Sequence, residues 1–235
     1  MTTNATAQDA APADEMQALL SELDQLADPR VREINLRHGD DHAVNLGALR
    51  AIGKRLGARP DLARDLWDAS AEDSTPKLLA ILVSRPSHFG PDELDRMLRT
   101  APTPKVRDWL LSILVKKSRH REALREEWFG DVDPAVASAG WALTSQRVVK
   151  TPDGIDQAAL LDQIEAEMKT SPEPLQWAMN ECLAQIGITN PVLRERARAI
   201  GERLEVLKDY PTPPNCTSPF APIWIDEMVR RADQA

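Results

Sequence analysis

Two basic clusters in an acidic chain are the residues whose spacing could do chemistry. In "NLGALRAIGKRLG" (residues 45–57), Arg50 and Lys54 stand four apart with Arg55 next along. In "KVRDWLLSILVKKSRHREALR" (105–125) there are seven Lys or Arg, among them Lys116, Lys117, Arg119 and Arg121, against only Asp108 and Glu122. The formal net charge is −8, and five acids with no Lys or Arg fall within residues 1–25, so the positive charge is concentrated rather than spread. Cations repeating on one helical face neutralise phosphates. The bland alternative for each cluster is a solvated helix end, favourable at a C-terminus through the helix dipole.

Other chemistries have little support. "HGDDH" puts His38 and His42 four apart around Asp40 and Asp41, but Gly39 and adjacent aspartates read as a loop rather than a metal site. There is no Gly-x-Ser-x-Gly, no Cys/His nucleophile signature and no glycine-rich phosphate loop. The two cysteines, Cys182 and Cys216, are too few for a disulfide framework or zinc site, which fits a reduced compartment. No run of about 18 apolar residues exists to span a bilayer, and the N-terminus lacks the order of a signal peptide. The expectation is a cytoplasmic protein with no membrane partner and no cofactor.

The elements carrying these clusters read as helices. Leu46, Leu49, Ile52 and Leu56 share the face beside Arg50 and Lys54. Many of the 18 prolines follow a capping side chain: Asp28-Pro29, Thr75-Pro76, Thr103-Pro104, Asp133-Pro134, Ser171-Pro172, Asn190-Pro191 and Ser218-Pro219. A cap oxygen accepts a first-turn N–H, and proline at the first helical position gives up a donor that had no partner. Apolar runs at helical spacing come after these starts, and none shows sustained period-two alternation. The chain is expected to be all-α, with about a dozen helices of roughly 9 to 17 residues.

Helix starts recur about every 15 residues, so a pair occupies roughly 30 to 40, the spacing of a HEAT-like α-solenoid of stacked antiparallel helix pairs. A compact bundle is the rival. The expected organisation is a structureless tail over 1–12, a helical repeat domain over 13–208, and a proline-rich linker with a C-terminal capping helix over 209–235. Phe220, Trp224, Ile225 and Met228 would pack that last helix onto the array.

"HAVNLGALRAIGKRLGARPDLARDLWDAS" resembles the signature of the AlkD-like DNA alkylation repair family through Leu49, Arg50, Ile52, Lys54, Leu56, Leu62, Ala63, Leu66 and Trp67. "STPKLLAILVSRPSHFGPDELDRML", "DPAVASAGWAL" and "AMNECLAQIG" continue in the family's order, so the resemblance covers roughly residues 25 to 208. It implies a HEAT-like solenoid whose cationic face holds duplex DNA through phosphates, acting without metal or organic cofactor. It further implies an N-glycosylase that excises cationic bases such as 3-methyladenine and 7-methylguanine. There the alkylated base leaves as a neutral molecule, and a carboxylate with aromatic faces stabilises the oxocarbenium-like sugar.

Laid on the family's pattern, Asp108 takes the place of the catalytic aspartate, but Pro104 stands where an aromatic residue lies one turn earlier. Trp109 neighbours Asp108 at about 100° around the helix. Ala137 and Ser138 replace an arginine pair, and Glu181 replaces a tryptophan that Trp177 precedes by one turn. Trp177 either offers an aromatic face to DNA from a displaced position or belongs to the core. The site residues implied by the resemblance are therefore Asp108, Trp109 and Trp177 for catalysis. Arg50, Lys54, Arg55, Lys116, Lys117, Arg119 and Arg121 are expected to contact DNA, and the site is expected to be degenerate or altered. A monomer is expected. The competing reading is a non-catalytic scaffold for a protein partner, since α-solenoids serve readily as such platforms.

Overall fold

The computed structural model describes residues 10–234. Among the described residues it contains thirteen α-helices and no strand. Residues 1–9 of the expected tail lie outside the described residues. The chain divides into two compact units, one ending at His120 and one beginning at Arg121.

The first unit holds α1 (Ala10–Leu26), α2 (Pro29–Leu36), α3 (Leu46–Leu56), α4 (Pro60–Asp68), α5 (Thr75–Leu82), α6 (Pro91–Thr100) and α7 (Pro104–Trp109). α7 continues through a π turn, Leu110–Leu114, and a 3-10 turn, Val115–Lys117. Helix α5 is apolar apart from Thr75 and Lys77, and Leu78, Leu79, Ala80 and Ile81, four consecutive residues that cover all of its sides, are fully buried. That is how a helix at the centre of a packed unit must read. α4 and α3 pack on it, bringing Leu62, Leu66, Trp67, Leu49 and Ile52 into the same core.

The second unit holds α8 (Arg121–Trp128), α9 (Pro134–Lys150), α10 (Gln157–Glu167), α11 (Glu173–Thr189), α12 (Arg194–Leu204) and α13 (Ala221–Asp233). α9 packs along α11, and α11 carries α12 and α13 on its other sides. Gly140 makes the approach of α8 to α9 possible, since a Cβ there would lie 2.6 Å from the Phe129 backbone nitrogen. Bare backbone at Gly187 and Gly201 likewise admits Ile225 and Pro222 of α13, so the C-terminal helix is built into the core of its unit.

Three of the seven expected proline starts cap their helices directly. Asp28 accepts from Arg30 N–H (2.8 Å), Thr103 from Val106 N–H (3.4 Å) and Asp133 from Ala135 N–H (2.9 Å). Elsewhere other groups intervene. Thr75 lies inside α5, its Oγ1 buried without a partner, because Asp73 takes the Thr75 N–H at 2.7 Å. The Ser171 hydroxyl turns back to the Glu167 carbonyl at 3.0 Å, and Pro172 itself precedes α11. Asn190 holds a turn over 191–193 before α12, and Ser218 does the same for Phe220 before α13.

Candidate functional site

Asp108 and Trp109 sit at the end of α7. Thr103 caps that helix, and Pro104 fills its first position, the reason an aromatic residue is absent there. The "HGDDH" loop clamps the same turn. Buried Asp40 accepts the Lys105 N–H at 2.8 Å, and Gly39, at φ +78, faces the Pro104 ring. Its neighbour Asp41 holds the Ser74 N–H (3.1 Å) at the start of α5, and buried His42 meets Asn35 Nδ2 through Nε2 at 3.0 Å. These residues join helix starts. Among the described residues no group of three His, Cys, Asp or Glu is placed to hold a metal.

Asp108 is exposed by surface area. Enough protein nevertheless surrounds its carboxyl that desolvation raises its pKa above the ordinary aspartate range, with Lys105 opposing, Asp40 adding, and Arg107 and Lys116 opposing. A carboxylate perturbed by desolvation with charged partners close by marks a candidate site.

Trp109, next along the helix, is buried. It is 9% exposed, and the Arg50 guanidinium lies over its ring at 4.9 Å. Arg50 of α3 and the Asp108–Trp109 turn, 58 positions apart in sequence, are thereby brought together, while one indole face is given to a cation–π contact. After Trp109 the helix widens. The Val115 N–H reaches back to the Leu110 carbonyl, five residues earlier, and such π turns recur where a helix carries a site.

The remaining cations divide by their partners. Lys54 and Lys117 are exposed, and Lys116 is half-buried within charge reach of Asp108. Arg119 donates from Nε to His120 at 3.1 Å. Arg55 is held by Glu22 of α1 at 2.5 Å, a pairing 33 residues long in sequence that the helical pattern could not reveal. Arg107 is drawn to the Ala101 carbonyl at 3.0 Å. Arg121 and Trp177 belong to the second unit.

In that unit Ala137 is buried, and the Ser138 hydroxyl bonds to the Ala135 carbonyl at 2.8 Å. Cys182 is buried and its thiol is pushed up to about 12 by burial, so it is inert. Trp177 is half-buried, and Tyr210 meets it edge-on, with ring centres 4.9 Å apart and planes at 90°. Tyr210 is missed by a sequence reading because it lies in the proline-rich segment, beyond any helical period. No helix among the described residues is long and apolar enough to cross a membrane.

Comparison with known proteins supplies the family. A solved structure described as a new family of proteins related to the HEAT-like repeat DNA glycosylases, with affinity for branched DNA structures, shares the fold. Its TM-score is 0.72 over 92% of this chain and 94% of that chain, at 20% identity. The stacked helices are therefore of the HEAT-like kind. No curated protein matches the chain. The family model of the DNA alkylation repair enzymes matches residues 19–219, and with nearly the whole helical array inside that match, the chain belongs to the DNA alkylation repair enzyme family.

Proposed function

We propose that the protein is a DNA-binding member of its family that holds DNA through the phosphates and releases cationic alkylpurines slowly. The observation that carries this reading is the end of α7, where Lys105, Arg107 and Lys116 act on exposed Asp108 and the next residue, Trp109, lies under the Arg50 guanidinium. Cations flanking one carboxylate suit a polyanion whose sugar is to become transiently positive. Excision is slow because the aromatic support is thin. Pro104 replaces one ring, Arg50 covers a face of Trp109, and Ala137, Ser138 and Glu181 stand where the family resemblance has arginines and a tryptophan. Affinity for branched DNA, stated of the structural relative, suits this chain better than efficient base release. Asp108 can act without a cofactor, and we place the protein in the cytoplasm as a monomer.

The test is salt dependence. Arg50, Lys54, Lys116, Lys117 and Arg119 are the phosphate contacts we propose; Arg55 is left out because Glu22 already holds it. Five contacts give a slope of log affinity against log salt of about −4.5, or roughly a 500-fold loss between about 50 and 200 mM salt. Replacing Lys116 and Arg119 with Gln should flatten the slope by about two units. An acidic scaffold for a protein partner would show no DNA affinity near physiological salt, and that result sinks the proposal.

A further inference from the structure

The six tryptophans are not used alike. Trp67, Trp109, Trp128 and Trp141 are buried, and Trp224 packs against the core of the second unit. Among the described residues Trp177 is not one of the half-buried side chains packed on that core. Its ring partner is Tyr210, the only tyrosine in the chain, which is 46% exposed. An indole and a phenol left half in water lose the burial that ordinarily repays large aromatic rings.

The segment presenting Tyr210 is held in shape. Glu205 and Leu207 adopt left-handed backbone (φ 54 and 60), Val206 is buried, and Leu207 packs on the core. The Tyr210 N–H closes a turn on the Leu207 carbonyl at 3.3 Å, and Pro211, Pro213 and Pro214 stiffen the chain just beyond it. On the other side, Gln176, next to Trp177, donates to the Lys169 carbonyl at 3.0 Å, and the Lys169 ammonium donates to the Leu204 carbonyl at 2.6 Å. Lys208 is paired with Glu205 and also faces Asp209, whereas the Lys169 ammonium is bonded only to a carbonyl and acts on Glu205 from further off.

An edge-on aromatic pair uses one ring face of four. An aromatic pair fixed in advance, with Tyr210 46% exposed and the Lys169 ammonium on the same hydrogen-bonded segment, is a stacking platform of the kind that takes unstacked bases next to a phosphate backbone. Resting on the DNA-binding reading, we infer that Trp177 and Tyr210 form a stacking site for an unpaired nucleobase of bulged or branched DNA, with Lys169 for the adjacent phosphate; Lys208 is left out because Glu205 already holds it. This gives the proline-rich segment a purpose beyond connecting α12 to α13.

The test compares a blunt duplex with the same duplex carrying one extrahelical 2-aminopurine, a base whose fluorescence falls on stacking. The wild type should bind the bulged probe more tightly and quench it. Tyr210→Ala should weaken bulge binding by about tenfold while leaving blunt-duplex affinity and the melting curve unchanged, and Tyr210→Phe should behave as wild type. Trp177→Ala should abolish the quenching. Equal loss on both probes, or a wild type without preference for the bulge, overturns the stacking site and leaves the DNA-binding reading standing. Binding of neither probe overturns both.

Discussion

Replacing Asp108 with Asn removes one charge and changes the side chain's shape little, so it isolates what the carboxylate does. If Asp108 faces the sugar of a bound alkylated nucleotide at about 4 Å, an effective dielectric of about 20 gives roughly 4 kcal/mol with the developing cation. Because Asp108 is exposed, solvent screening reduces this to about 2 kcal/mol, equivalent to roughly thirtyfold in rate. Phosphates stand further off, about 10 Å in water, where the same charge is worth only a few tenths of a kcal/mol. Base release should therefore fall about thirtyfold while DNA affinity stays level or rises by less than about twofold. The assay is single-turnover release of 3-methyladenine from methylated duplex DNA, with affinity measured in parallel. The pH profile adds a second signature. With its pKa raised by desolvation, Asp108 loses its charge at a pH above the ordinary aspartate value, so wild-type release should fall on acidification before the usual carboxylate range is reached. A carboxyl whose folded pKa exceeds its unfolded value costs stability as pH rises through the folded value. The Asn variant should accordingly be at least as stable as wild type at neutral pH. Release untouched by Asp108→Asn, with the protein folded, would refute the role given to this residue.

Two further predictions concern the framework. Burial lowers the pKa of His42 below the ordinary 6.5, with Asp40 opposing, Lys105 adding, and Asp41 and Asp73 opposing. Its contribution to stability is complete above pH 6.5 and shrinks as pH falls toward the folded value; melting temperatures from about pH 8 to 5.5 should drop more steeply for wild type than for His42→Gln, and parallel curves would remove His42 from the account. Ile225 of α13 is fully buried against Gly187, so Ile225→Ala should cost about 2–5 kcal/mol, and removal of residues 211–235 should lower the melting temperature or cause aggregation. An unchanged melting curve for both would mean that α13 is an appendage.

Legibility in the chain alone divides along one physical line. Helix starts at Asp28, Thr103 and Asp133 are legible because a cap and its N–H lie two or three residues apart, and the buried helix around Leu78–Ile81 is legible because apolarity on every side leaves no alternative. The basic stripe of Arg50 and Lys54 and the family's pattern around it are local too. The partners of those charges are not. Glu22 holds Arg55 from 33 positions away, Asp40 holds the turn of Asp108 from 65, and Tyr210 reaches Trp177 across 33 residues outside any periodic run. The residue types at 108, 109 and 177 nominate a site, whereas burial separates the two tryptophans, one covered by Arg50 and one left half in water. Sequence determines contacts within a turn or two of helix because the backbone fixes those distances. Which charge is neutralised and which ring face stays open depends on how helices stack, and only the tertiary structure decides that.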